Sequence, residues 1–111
     1  MGSRERDREL VQRILTEYAQ IPYAHGRIEC ETVFDREADR YLLMLIGWDG
    51  IRRVHGCLIH VDLIGEEIWV QRDGTEHGIA RELIEAGVPQ DRIVLAFREP
   101  EVREQVPAPL W

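Results

Sequence analysis

The hydrophobic pattern of this chain changes period twice, and that change limits the fold more than any other feature of the sequence. From Arg4 to about Tyr18 the apolar residues Leu10, Val11, Ile14, Leu15 and Tyr18 mark one face of a 3.6-residue helix. Pro22 closes this segment, because proline disfavours the α conformation in the residue before it and has no amide hydrogen to donate. Residues 21–26 then read as a loop. From Arg27 to Asp35 the period falls to two, with Ile28, Cys30, Thr32 and Phe34 on one side and Glu29, Glu31 and Asp35 on the other.

Strand signals continue through Gln71. Tyr41 to Trp48 is apolar on both parities, the pattern of a strand covered on both faces. Asp49-Gly50 suits the positive φ angles of a tight hairpin turn, so this strand pairs antiparallel with Ile51 to Leu63. In that longer strand Gly56 is the expected bulge, and Cys57 shares a parity with Ile59 and Val61. Ile68 to Gln71 follows as a fourth strand. Asp73 and Glu76 have the spacing of a variant capping box opening a helix over about Thr75 to Ala86, whose stripe is Ile79, Ala80, Leu83 and Ile84. Gly87 and Pro89 end it, and Ile93 to Phe97 is a last strand. The expectation is a single α+β domain over 1–111, in the order α-β-β-β-β-α-β, with an antiparallel meander packed with two helices. Its core lies within about 4–97, and 98–111 is irregular. A length of 111 residues fits one such core.

Composition removes several kinds of chemistry. All 14 basic residues are arginine, which excludes Schiff-base and P-loop lysines. The only serine is Ser3, in the N-terminal tail, so no serine nucleophile sits on a structured turn. A net charge of −7 opposes sequence-independent binding to a polyanion. The longest apolar run, Tyr41 to Ile46, is far too short to span a bilayer, and a soluble, cytoplasmic protein is expected. Cys30 and Cys57, both on apolar parities, are expected to be buried, reduced and dispensable. His60 and Asp62 share a strand face as a polar pair, and two ligands do not complete a metal site. The residues thus predict no catalytic group, metal or cofactor.

Two clusters remain as candidate binding surfaces. Gln71, Arg72, Asp73, Thr75, Glu76 and His77 crowd a strand-to-helix turn. Asp73 and Glu76 put negative charge where a phosphate would meet the helix amides, so capping accounts for part of this cluster. The polar groups that a cap leaves over are expected to bind a partner, as exposed loops commonly do. Arg52 and Arg53 offer a local contact for nucleic acid.

The segments Leu15-Thr-Glu-Tyr-Ala-Gln-Ile-Pro22, Gly47-Trp-Asp-Gly-Ile-Arg-Arg53, Gly56-Cys-Leu-Ile-His-Val-Asp62 and Ile68-Trp-Val-Gln-Arg-Asp-Gly-Thr-Glu76 resemble the XisI family, the fdxN element excision controlling factor proteins. The resemblance continues through Gly78-Ile-Ala80, Glu82-Leu83, Gly87-Val-Pro89 and Asp91-Arg-Ile-Val-Leu95, and covers roughly 10–97. It implies a small α+β protein of photosynthetic bacteria that acts with a companion, XisH, in controlling excision of a DNA element, while a separate recombinase performs the recombination. It brings no catalytic residue. The chain departs from the family pattern after Phe97, where the resemblance implies a tail ending in small apolar residues and this one ends Pro-Leu-Trp.

Two readings follow. In the first the protein is a non-enzymatic regulator that binds a XisH-type partner and touches DNA indirectly. In the second it is an accessory factor that contacts DNA itself through an arginine face including Arg52, Arg53 and Arg72. A small metal-dependent or hydrolytic enzyme using His60, Asp62, Asp73 and Glu76 is the third alternative. Trp48, Trp69, Trp111 and the doubly apolar strand Tyr41 to Trp48 further predict a homodimer.

Overall fold

A computed structural model describes residues 2–22 and 26–98, so the expectations placed on His25 and on the tail to Trp111 lie outside the described residues. Helix α1 (Gly2–Ala19) begins two residues before the apolar pattern announces it. Four strands follow, β1 (Arg27–Asp35), β2 (Arg40–Asp49), β3 (Arg52–Ile64) and β4 (Glu67–Asp73), each antiparallel to the one before. Helix α2 (Ile79–Glu85) and a one-turn 3-10 helix (Gln90–Arg92) then carry the chain back, so that β5 (Ile93–Leu95) runs parallel to β4 at the sheet edge. The sheet order is β1-β2-β3-β4-β5, and the α-β-β-β-β-α-β sequence of elements is the expected one. The last strand stops at Leu95 instead of Phe97, because Ala96 N–H already bonds Val70 O at the end of the ladder and Arg98 N–H turns back to Leu95 O.

Both helices lie on one face of the sheet. Val11, Ile14 and Leu15 of α1 and Ile79, Ala80 and Leu83 of α2 join Tyr41, Leu43, Ile59, Val61, Ile68 and Val70 in one buried cluster. Truncating a residue such as Leu15 there costs about 2–5 kcal/mol, since both the transfer energy and the cavity count. Tyr41 and Leu43 are buried, whereas Leu42, Met44, Leu45 and Ile46 are only partly so. The expectation that β2 is covered on both faces is therefore corrected: its even-numbered residues face away from the helices.

The β1–β2 turn fastens α1 to the sheet. Asp35 Oδ1 accepts the amides of Glu37 and Ala38, each at 3.0 Å, and sets the turn. Asp39 then takes a left-handed φ of 55°, a conformation that aspartate tolerates better than most side chains. Its buried carboxylate accepts bonds from Arg4 Nη1 and Arg8 Nε at 2.7 Å each, and from Tyr41 Oη at 3.0 Å. These bonds hold the Asp39 carboxyl down at about 2, with the Arg8 guanidinium the largest cause. Burial pushes the Tyr41 phenol up to about 12, and the neighbouring Asp39 charge adds to that.

Two irregularities in β3 decide which residues share a face. Leu43 opposes Ile59 while Met44 opposes Cys57, which leaves Leu58 as the extra residue. The bulge is thus at Leu58 and not at Gly56. Because one extra residue inverts parity, Cys57 turns to the helix-free face although Ile59 stays in the core. A second shift falls between His60 and Val61 and admits Gln71 on the β4 side.

Candidate functional site

The turn from β4 to α2 is built around one carboxylate. Asp73 Oδ1 accepts Thr75 N–H at 2.9 Å and Thr75 Oγ1 at 2.6 Å, and Asp73 Oδ2 accepts the amide of Ile79 at 2.7 Å. Thr75 Oγ1 in turn accepts Gly78 N–H at 3.1 Å. Asp73 therefore caps α2 from six residues upstream, and the segment it encloses is a loop. This corrects the expected start at Thr75 and the expected capping box, since Glu76 is exposed and the helix begins at Ile79. Gly78 permits the geometry with a φ of 95°.

The six predicted partner-binding residues fall into three groups. Gln71 donates to Asp62 Oδ2 at 3.3 Å, and Arg72 donates through Nε to Cys57 O at 2.6 Å, so both belong to the helix-free sheet face. Asp73 and Thr75 are half-buried and spend their oxygens on the loop. Glu76 and His77 form the third group and are exposed, as Arg72 also is. The structure thus brings Glu76 and His77 together on a loop that Asp73 and Thr75 hold rigid, with Arg72 at its root.

His60 and Asp62 do pair, with Nε2 and Oδ1 2.9 Å apart, and Gln71 completes a short polar chain across β3 and β4. A second histidine constellation was not read from the sequence. His77 Nε2 lies 3.3 Å from Glu85 Oε1, and His77, Glu82 and Glu85 present ligand atoms within 4.8 Å of one another. Glu82 also accepts from Tyr18 Oη at 3.1 Å, and burial followed by this bond raises the Tyr18 phenol above its ordinary range. The i, i+3 spacing of Glu82 and Glu85 on a helix was the signal available in the sequence. His77 and Glu85 are exposed, and the His77–Glu85 and Tyr18–Glu82 pairs account for the positions of all three side chains.

The arginine pair at the hairpin does not form one patch. Arg52 and Arg53 are successive strand residues and project to opposite sides of β3. Arg52 is 3.6 Å from Asp49, and Arg53 stacks its guanidinium 5.3 Å from the Trp48 ring centre. The two cysteines are half-buried instead of fully enclosed, and desolvation raises both thiols. Among the described residues no helix is long and apolar enough to cross a membrane.

Comparison with known proteins places this geometry. The profile of the family described as XisI protein matches residues 1–107. A XisI-like protein from Anabaena variabilis is similar in structure with a TM-score of 0.85 and 34% identity, over 93% of this chain and 94% of that one. The fdxN element excision controlling factor XisI from Anabaena variabilis is similar with a TM-score of 0.80 and 28% identity, over 94% and 95% of the two chains. None of the curated proteins matches the sequence.

Proposed function

Since the chain belongs to the XisI protein family, we propose that it is an excision controlling factor, a non-enzymatic accessory protein that acts in the cytoplasm with a XisH-type partner to regulate site-specific excision of a DNA element. The observation that carries this reading is the end-to-end similarity to the fdxN element excision controlling factor, in which neither chain has a large part without counterpart in the other. Contact with the partner runs through the loop before α2. Glu76 and His77 are exposed there on a backbone fixed by Asp73 and Thr75, so little conformational entropy remains to be lost on binding. Arg72 and Gln71 flank it from the sheet.

DNA is reached through the partner in this reading. The chain carries −7 charge, and its adjacent arginines at the hairpin diverge across the strand. A XisH-type protein titrated with the full chain in a calorimeter provides the test. Saturable binding is expected, weakened about tenfold, or about 1.4 kcal/mol, when Glu76→Ala and His77→Ala are combined. Undiminished binding by that double variant removes the loop from the interface, and no binding by the parent chain overturns the partner reading.

A further inference from the structure

With both helices on one side of the sheet, the other side carries an apolar stripe along β2 made of Leu42, Met44, Ile46 and Trp48. Val33 of β1 and Ile64 of β3 share that face by register. They and Trp48 are three of the large apolar residues that stand half exposed among the described residues, at 49%, 49% and 48%. We propose that a second copy of this chain occupies this face, its sheet stacked on the first with the strands running in reverse. The inference does not rest on the partner reading above, and of the residues named there only Gln71 and Arg72 belong to this face.

Size and charge both point to this occupant. The ten-residue β2 is about 34 Å long, and five strands are about 19 Å across, from the usual rise and strand spacing. The projected contact is then about 650 Å² per copy, so the total reaches the range of a standard protein interface. Direction follows from the charges at the two ends. At the hairpin end Arg27, Trp48 and Arg53 form one row across β1, β2 and β3. Toward the other end Asp35, Asp62 and Glu67 outnumber Arg40 and Arg72 on the same face. A two-fold that keeps strand direction sets arginines over arginines. A two-fold that reverses it sets each arginine end over the carboxylate end of the other copy, which is the complementary arrangement. Glu31, Met44 and Cys57 form the middle row, so the axis passes beside Met44 and Cys57.

Sedimentation equilibrium of the full chain across micromolar concentrations tests the proposal. The expected mass is twice the 13.0 kDa of one chain. Ile46→Glu is expected to give single chains with an unchanged far-ultraviolet circular dichroism spectrum. Since that variant changes a half-buried strand residue, the exposed Arg53→Glu gives a second reading. It should weaken the dimer at least tenfold, since that row lies over the Asp35–Arg40–Asp62 row of the other copy. A single-chain mass for the parent protein at every concentration overturns the proposal. So does a dimer indifferent to Ile46→Glu or to Arg53→Glu.

Discussion

Asp39 shows how much of this fold hangs on one side chain. Its carboxyl titrates at about 2 in the folded chain, below the ordinary 3.8, because Arg8, Tyr41 and Arg4 all favour the charged form. A depressed carboxyl contributes stability that is complete above the unfolded value and is lost as pH falls through the folded one. Melting temperature should therefore fall between about pH 4 and pH 2 in the parent chain. Asp39→Asn, which keeps the size and loses the charge, should be destabilised by about 2 kcal/mol at neutral pH and converge on the parent near pH 2. Parallel melting curves at all pH values would contradict this. Cys30 and Cys57 should be labelled slowly by a thiol reagent at neutral pH, since desolvation raises both. Rapid stoichiometric reaction would refute it. The sequence placed Cys30 correctly on the helix-facing side of β1, but it misplaced Cys57, because the extra residue at Leu58 changes no local pattern that a single sequence displays.

At the scale of elements, strand pairing was legible because alternation and the Asp49-Gly50 turn are both local signals; β1 has the bounds read from its sequence. The start of α2 was not legible. Asp73 reaches forward six residues to the amide of Ile79, a longer span than the three-residue box that the spacing of Asp73 and Glu76 suggested. Asp73→Ala should therefore destabilise the protein by about 1–2 kcal/mol, the usual worth of a lost helix cap, with the loss of amide protection centred on 74–80. Glu76→Ala should leave stability within experimental error. Equal effects of the two substitutions would restore the capping box. Gly47 makes a separate prediction for the β1–β2 pair. A Cβ built there would lie 1.9 Å from Arg27 O, so Gly47→Ala must separate the strands and should cost more than an ordinary surface substitution. A melting temperature equal to the parent's would show that the strands do not approach as closely as described.

For the whole molecule, one side of the sheet closed by two helices and the other left partly apolar follows from connectivity. Helix α2 crosses from β4 to a parallel β5 and lands beside α1, where Tyr18 reaches Glu82. The apolar residues on both parities of β2 were visible in the sequence, but which side the helices take depends on this crossover, which periodicity does not encode. The candidate site was legible as a dense polar segment. Its division into scaffold, Asp73 and Thr75, and exposed surface, Arg72, Glu76 and His77, needed coordinates, since all have the same polar character in a sequence. The function proposed for this acidic XisI-family protein has it work through a protein partner without itself gripping DNA. Titrating the full chain into duplex carrying the excision site, with and without the XisH-type protein, at about 50 and about 200 mM salt tests it most directly, because phosphate contacts weaken steeply over that range. No binding by the chain alone is expected at either salt, with a shifted complex when the partner is present; tight, steeply salt-dependent binding by the chain alone would overturn the partner reading.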